Sequence, residues 1–451
     1  MSNQVNVKID FEKQLGKIKP MHAVNNGPYP AAKDQKRGNF NDYRAARIPY
    51  ARNHDASFDA GYGGNHTVDV NFIFPNFDAD VNDPESYDFA CTDEYVKNTY
   101  LAGTEMFYRL GTRIEHEVKK YNSIMPRDFK KWAEICEHII MHYTEGWADG
   151  FQYKMEYWEI WNEPDLDPDD SLNKRCWSGS TLEFCEFFKV AAKHLKTRFP
   201  HLKIGGPASA GDEDWLEKFL KYQSENGVPM DFVSWHWYWT EPLDMSKKGT
   251  RVRALMKKYG YGDAESILNE WNYVRGWGGD DWIYSLEVMK NYKGAAFIAA
   301  TMIMSQREPL DNLMYYDARP GGMNGMFCTD IVSKILKGYY PFYIFNKLYT
   351  QKNEVSSESD EADIWVCAAS GEEHNTMITY YNDDDNAPSA KEVKVSFCGL
   401  DAKDGVRLEY YISDKDNDYR LLREEIFTSD KFASYITMPL NSTYFLRIVK
   451  N

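Results

Sequence analysis

The sequence predicts an α/β protein in which a (β/α)8 TIM barrel precedes a C-terminal antiparallel β-sandwich. The first observation is that short apolar strands alternate with helices over residues 18–350, as a parallel sheet requires. The second is their number: strands begin near residues 20, 48, 105, 157, 202, 231, 266 and 313, and eight such units favour a closed barrel. The third is a change of pattern over residues 351–451, where short alternating strands separated by polar turns are typical of a sandwich.

Residues 1–17 form a separate N-terminal segment. Val5 to Phe11 alternates apolar and polar side chains, which predicts a half-exposed strand. This strand precedes the first barrel strand and has no other partner nearby in the sequence. We therefore expect it to join the sandwich.

Helical periodicity connects the later barrel strands. The predicted helices cover residues 92–102, 127–144, 182–198, 214–226, 251–258, 285–305 and 331–349. Residues 56–88 instead form a long segment rich in Gly, Asn, Asp and Pro. A loop of that length inside a compact domain is usually functional.

Composition excludes several classes of function. The net charge of −16 argues against binding of nucleic acid or of anionic membranes. No run of eighteen apolar residues exists, so no membrane-spanning helix is expected. The N-terminus lacks the apolar region of a secretory signal, and seven scattered cysteines contain no Cys-x-x-Cys pair, which together predict a cytoplasmic protein. Neither metal-ligand spacing nor a phosphate-binding loop is present, so we expect no metal and no cofactor.

The stretch 157–166 carries the first candidate functional residue. Its aromatic and β-branched residues predict a strand, which Pro164 ends. Proline also predicts an extended backbone at the preceding Glu163. This carboxylate therefore stands at the strand end where barrel enzymes do their chemistry. Its neighbours Trp158 and Trp161 should desolvate it and raise its pKa towards that of a general acid, although an acid that caps a helix or pairs with an arginine would show the same pattern.

A second carboxylate, Glu270, ends the seventh barrel strand in the same way. Glu163 ends the fourth strand, so both side chains can face one central pocket. Cleavage of a glycosidic bond requires such a pair, one acid to protonate the leaving oxygen and one to attack the anomeric carbon or activate water.

The motifs, in their order, resemble glycoside hydrolase family 39, within the clan of retaining (β/α)8 glycosidases. The resemblance covers residues 18–350 and rests on Val24-Asn25-Asn26-Gly27-Pro28, Arg52 with His54, Ile73-Phe74-Pro75 with Asp78 and Asp80, Trp161-Asn162-Glu163-Pro164, Gly205-Gly206-Pro207, His236-Trp237-Tyr238 and Asn269-Glu270-Trp271-Asn272. It implies that Glu163 is the acid/base and Glu270 the nucleophile, with net retention of configuration. It also implies that Asn162 binds the sugar 2-hydroxyl, and that His236 and Tyr238 line the nucleophile's side of the pocket.

Further residues are assigned by their chemistry. Arg52 beside the nucleophile would keep it ionised, unless this arginine is only structural, and Tyr238 would donate to the same carboxylate. His54 and His236 can donate to sugar hydroxyls, whereas a histidine at a strand end is also a common core residue. Trp271 could offer a flat face for a sugar ring.

The leading hypothesis is a retaining, exo-acting glycosidase that acts on short oligosaccharides and is β-xylosidase-like or related to it. Asn269-Glu270-Trp271 stands where family β-xylosidases often carry a Thr-Glu-Phe type sequence, so the sugar is left open. An endo-acting polysaccharide hydrolase is the alternative. A non-catalytic carbohydrate-binding barrel is the third hypothesis, but it would require the loss of one of the two acids. The expected partner is an oligosaccharide, without nucleic acid or membrane, and the sequence is compatible with a homo-oligomer.

Overall fold

The computed structural model describes residues 4–29, 38–56, 66–331 and 333–450. It contains a closed barrel of eight parallel strands and a nine-stranded, mostly antiparallel sheet. The predicted fold class is therefore confirmed. Nine residues of the predicted functional loop, 57–65, lie outside the described residues.

The barrel closes in sequence order. The first strand of the chain, β1 (Val5–Lys17), belongs to the sheet, and the barrel strands that follow it are β2 (Ala23–Asn25), β3 (Tyr50–Arg52), β4 (Glu105–Leu110), β5 (Tyr157–Ile160), β6 (Lys203–Ser209), β7 (Phe232–Trp239), β8 (Glu265–Tyr273) and β9 (Asn312–Tyr315). Each strand pairs in parallel with the next, and β9 returns to β2 through the partners Ala23–Met314 and Val24–Tyr315.

Side chains fill the barrel interior in layers, as the two-residue period of a strand requires. The layer near the amino ends of the strands is apolar and consists of Ala23, Phe107, Tyr157, Phe232, Ile267 and Met314. Two residues further along each strand the inward side chains become polar and charged, for example Asn25, Glu159 and Asn269. The barrel is thus closed by an apolar floor, and its chemistry lies towards the carboxyl ends.

Ten α-helices among the described residues surround or follow the barrel strands: α1 (Phe40–Ala46), α2 (Val70–Ile73), α3 (Ala90–Leu101), α4 (Phe129–Thr144), α5 (Thr181–Arg198), α6 (Glu213–Glu225), α7 (Pro242–Lys258), α8 (Gly279–Met289), α9 (Tyr292–Arg307) and α10 (Tyr339–Tyr349). None of them combines the length and apolar character that crossing a bilayer demands.

Three predicted helices differ from those observed. The single helix expected over 285–305 is two helices, because the Asn291 side chain accepts hydrogen bonds from Lys293 and Gly294 and begins α9 as a new N-cap. The helix expected from 331 begins only at Tyr339. Conversely, α7 starts nine residues before the predicted helix, with Pro242 in its first turn, a position that proline favours.

The C-terminal strands form one sheet with β1. They are β10 (Asn353–Ser359), β11 (Ile364–Ser370), β12 (His374–Tyr380), β13 (Ala390–Cys398), β14 (Val406–Ser413), β15 (Arg420–Phe427), β16 (Phe432–Pro439) and β17 (Ser442–Lys450). The strand order is β15-β14-β17-β12-β11-β10-β1-β13-β16, and β1 with β13 is the parallel pair. Residues from eight of these strands share one apolar core, so the sandwich is a single sheet folded over itself.

Helix α9 joins the barrel to the sheet at both of its ends. Near its start, the Lys293 ammonium lies 3.0 Å from Asp383 and 2.9 Å from Asp385, in the segment between β12 and β13. At its end, the Arg307 guanidinium donates to Glu354 of β10 at 2.8 Å. The sheet thus contacts the helix that packs behind β8.

Candidate active site

Glu163 lies three residues beyond β5, at the carboxyl-terminal mouth of the barrel. Both Trp161 and Glu163 have positive φ, 74° and 47°, a region that side chains disfavour. The extended backbone predicted from Pro164 is therefore wrong. Backbone hydrogen bonds impose the turn: Trp161 N–H donates to the Leu110 carbonyl at 2.7 Å, and Glu163 N–H donates to the Ala208 carbonyl at 2.9 Å. These contacts with both neighbouring strands fix the position of the carboxylate.

Glu270 is buried within β8, and its carboxylate accepts hydrogen bonds from two side chains. Its Oε1 accepts from Nη1 of Arg52 at 2.8 Å. Its Oε2 accepts from the Tyr238 hydroxyl at 2.7 Å. Both contacts favour the ionised form of this carboxylate.

The two acids face each other across a short gap. One carboxylate oxygen of Glu163, one of Glu270 and a ring nitrogen of His236 all lie within 4.8 Å of one another. Nδ1 of His236 is 2.8 Å from Oε1 of Glu163 and 3.4 Å from Oε2 of Glu270. Retaining glycosidases hold their carboxyl groups about 5–5.5 Å apart, whereas inverting enzymes need about 6.5–9.5 Å to admit a water molecule. The observed spacing matches the retaining geometry.

Burial sets the protonation of these groups. It raises the pKa of Glu163 to about 7. It lowers the pKa of His236 to about 4, so the imidazole is neutral at pH 7. Burial also raises the pKa of Glu270, but His236, Arg52 and Tyr238 act in the opposite direction. The pair therefore combines one acid that holds its proton near neutrality with one whose charge is stabilised by its donors.

Arg52 links the nucleophile candidate to the layer below it. Besides Glu270, its fully buried guanidinium donates to Oε2 of Glu159 at 2.6 Å and to Oδ1 of Asn162 at 2.7 Å. Glu159 was not identified from the sequence. The sequence did offer a signal, because Glu159 is a charged residue inside an apolar strand. A carboxylate buried in that way needs a charged or hydrogen-bonding partner, and this need predicts a polar network.

Several buried polar atoms around this network have no hydrogen-bond partner among the described residues, among them Nδ2 of Asn162, Nδ1 of His54 and Oδ1 of Asp317. Leaving such an atom unsatisfied costs about 1–3 kcal/mol, which favours a role in binding polar groups of a ligand. His54 lies close to the nucleophile candidate, with Nε2 3.7 Å from Oε1 of Glu270. Burial raises the pKa of Asp317 to about 7, so this carboxyl can donate as well as accept.

Trp271 does not fit the predicted stacking role. A register shift in β8 between Leu268 and Trp271 interrupts the regular alternation of side chains. Asn269 and Glu270 therefore both face the interior, where they contact Glu159 and Arg52. Trp271 is fully buried and packs against Phe297 and Tyr315, with ring centroids 5.9 and 5.4 Å away. Its ring has no free face for a sugar, so the prediction is contradicted.

The remaining predicted residues converge on the same place. Arg52, His54, Asn162, His236 and Tyr238 all lie at the carboxyl-terminal end of the barrel, around Glu163 and Glu270. Residues that the sequence did not single out include Asp55, which accepts a hydrogen bond from Tyr316. Asp55 follows His54 directly, so its position at a strand end was a usable signal.

The triplet of Glu163, His236 and Glu270 also offers ligand types that bind zinc. Arg52, however, places a permanent positive charge 2.8 Å from one of the carboxylates. A guanidinium in that position disfavours a second cation by Coulomb repulsion. The arrangement therefore suits acid–base and nucleophilic chemistry better than metal binding.

Comparison with known proteins shows the family to which the chain belongs. The family model described as Glycosyl hydrolases family 39 matches residues 5–268, more than half of the chain. The family resemblance inferred from the motifs is thereby confirmed.

Two curated β-xylosidases match shorter stretches. The one from Geobacillus stearothermophilus is 29% identical over 173 residues, 34% of this chain and 33% of the relative. The one from Caldicellulosiruptor saccharolyticus is 30% identical over 138 residues, 31% of this chain and 26% of the relative. The aligned stretches thus span a third or less of these relatives.

A solved structure extends the likeness to the whole fold. The chain superimposes on a glucosidase from Croceicoccus marinus with a TM-score of 0.82, 21% sequence identity and full coverage of both chains. At that identity the likeness concerns the arrangement of barrel and sheet.

Proposed function

The chain belongs to glycosyl hydrolases family 39, and on that basis we propose that it is a retaining glycosidase which removes a terminal sugar from short oligosaccharides. The observation that carries the proposal is the opposition of Glu163 and Glu270, with carboxylate oxygens within 4.8 Å. That gap accommodates an anomeric carbon but leaves no room for a water molecule between sugar and carboxylate.

In the first step Glu270 attacks. One of its carboxylate oxygens forms a bond to the anomeric carbon while the bond to the glycosidic oxygen breaks. The electron pair goes to the leaving oxygen, which takes the proton of Glu163. Arg52 and Tyr238 keep Glu270 anionic before the attack.

In the second step Glu163 acts as a base. It removes a proton from water, whose oxygen attacks the anomeric carbon and displaces Glu270 as a carboxylate. Two inversions give net retention. Neutral His236, with Nδ1 between both carboxylates, can hold a hydrogen bond to the deprotonated form of either acid.

Both acids are withdrawn from solvent, with side chains 14% and 5% exposed for Glu163 and Glu270. A recessed pair favours a pocket that receives a chain end over an open cleft. The partial likeness to curated proteins named β-xylosidase makes β-xylosides the first substrates to test. A β-glucoside serves as the comparison sugar, since a solved structure of similar fold is named a glucosidase.

The test uses 4-nitrophenyl β-xyloside and β-glucoside with the wild type, Glu163→Gln and Glu270→Gly. NMR of the first-formed product should show the β-anomer. Azide should rescue Glu270→Gly and give the α-glycosyl azide, because azide replaces the missing carboxylate and only one inversion occurs. Cleavage of a labelled xylo-oligosaccharide by single residues from one end supports exo action, whereas internal fragments contradict it.

Glu265→Gln is the matched control. Glu265 lies on the same strand as Glu270 but at the opposite end of the barrel, where it pairs with Lys203 at 2.6 Å. We expect its activity to stay near that of the wild type. Near-normal activity of Glu270→Gly without azide, or an α-anomer as first product, would contradict the mechanism.

A further inference from the structure

Two of the thirteen tryptophans in the chain are exposed to solvent. Trp239 is 43% exposed and Trp277 is 63% exposed, while the others are buried or half-buried. A large aromatic surface left in water is costly, roughly 25 cal/mol for each square ångström. Trp239 is the last residue of β7, and Trp277 lies four residues beyond the end of β8, so both stand near the proposed active site.

Trp239 faces away from the pocket. It succeeds the inward-pointing Tyr238 on β7 and therefore points outward. Its indole N–H donates to Asp244 of α7 at 2.9 Å, and its ring lies 6.1 Å from that of Trp237. These contacts account for its position without any ligand.

Trp277, by contrast, stands at the pocket mouth. Its ring meets the ring of Tyr238 edge to face, with centroids 5.0 Å apart and an interplanar angle of 78°. The Tyr238 hydroxyl in turn donates to Glu270 at 2.7 Å. One aromatic ring thus separates Trp277 from the nucleophile of the proposed reaction.

The segment that carries Trp277 is supported from behind. Trp282 of α8 stacks on Trp277 with centroids 5.4 Å apart and planes within 26°. The guanidinium of Arg275 lies 3.7 Å from the centre of the Tyr284 ring. Tyr284 itself donates to Asp385 of the sheet at 3.2 Å. The exposed ring is therefore held in place by packing on one side and is free on the other.

We propose that Trp277 is the stacking platform of a leaving-group subsite, where it binds the ring that departs with the glycosidic oxygen. This inference rests on the proposed glycosidase function. The groups around the reacting carbon, among them Arg52, His236 and Glu270, are buried, so the sugar that becomes covalently bound sits deepest. The remainder of an exo-substrate projects towards solvent, where Trp277 is the exposed aromatic beside Tyr238. The ligand class is a flat-faced ring, either a second sugar or an aryl group.

The test compares leaving groups on one glycone. Wild type, Trp277→Ala and Trp239→Ala are assayed with β-xylosyl fluoride, which places a single atom in the leaving-group subsite, and with xylobiose, which fills it. The β-glucosyl fluoride and cellobiose pair is measured alongside. We expect Trp277→Ala to lower kcat/KM for the disaccharide about tenfold and to leave the fluoride within about twofold of wild type, as loss of one stacking contact predicts. Trp239→Ala should match wild type on both, and Trp277→Phe should recover part of the loss.

A second readout is the ratio of glycosyl transfer to hydrolysis, which does not depend on the fraction of folded enzyme because both rates scale with it. The leaving-group subsite also binds the acceptor in glycosyl transfer, so Trp277→Ala should lower the ratio of transfer to hydrolysis when 4-nitrophenyl xyloside is added as acceptor. Equal losses on fluoride and disaccharide would place Trp277 in the deeper subsite and overturn the assignment while the glycosidase proposal stands. A wild-type protein that cleaves neither fluoride nor disaccharide of either sugar would overturn both.

Discussion

Removal of one hydroxyl, in Tyr238→Phe, is expected to shift the acidic limb of the pH–rate profile. The Tyr238 hydroxyl donates to Oε2 of Glu270 at 2.7 Å, and Glu270 must be ionised to attack. A hydrogen bond to a charged group contributes about 1.5–3 kcal/mol. One pKa unit corresponds to about 1.4 kcal/mol, so the pKa of Glu270 should rise by roughly 1–2 units.

The sign follows from the protonation states. Below its pKa, Glu270 carries a proton and cannot attack, so kcat/KM rises with pH through that value. At pH values below the wild-type pKa of Glu270, an upward shift of roughly 1–2 units should lower kcat/KM about 10- to 100-fold, because the rate there is proportional to the ionised fraction. The basic limb belongs mainly to Glu163 and should move little. The assay is kcat/KM for 4-nitrophenyl β-xyloside and β-glucoside between pH 4 and 9.

Tyr261→Phe is the matched control, since its buried hydroxyl donates to the Val228 carbonyl at 2.9 Å, outside the active-site network. It should cost about 1 kcal/mol of stability and leave both limbs in place. An acidic limb that stays where the wild type has it in Tyr238→Phe would refute the reasoning that this hydroxyl supports the charge of Glu270.

Three more outcomes are expected. In the wild type, kcat/KM should fall above about pH 7, because burial raises the pKa of Glu163 to about 7. Above that pH the deprotonated acid cannot protonate the leaving group. A kcat/KM that keeps rising to pH 9 would contradict this role. Arg52→Met should lower the free energy of unfolding by about 3–5 kcal/mol in urea titrations, because Glu159 is left buried without its charged partner. A loss below about 1 kcal/mol would show instead that solvent reaches Glu159. Lys293→Met should cost roughly 1–3 kcal/mol in the same titration by removing the ammonium from Asp383, and unchanged stability would mean that this ion pair contributes little to holding barrel and sheet together.

The sequence predicted the eight barrel strands because each is a short apolar run bounded by turn residues. It also predicted that Glu163 and Glu270 would meet, because the ends of parallel strands share one side of a barrel. The turn at Glu163 could not be foreseen, since hydrogen bonds to Leu110 and Ala208 of neighbouring strands override the local preference before Pro164.

Other structural features that the sequence did not predict have similar causes. The break at Asn291 lies inside a continuous apolar pattern, and periodicity alone does not reveal a new cap. Trp271 could not be assigned to the outer side of β8 until the register of that strand was known, because a shift of one residue exchanges the two faces. The Arg52–Glu159 contact joins residues 107 apart, a distance in the sequence at which no local pattern operates.

The segment between β12 and β13 reaches beyond its own sheet. Asp383 accepts a hydrogen bond from the Tyr273 hydroxyl at 2.6 Å, three residues past Glu270 on the same strand. A barrel excised by cutting the chain near residue 351 would therefore lose a support of its own catalytic strand, together with the partners of Lys293. Engineers who seek a minimal catalyst from this chain should retain its last hundred residues.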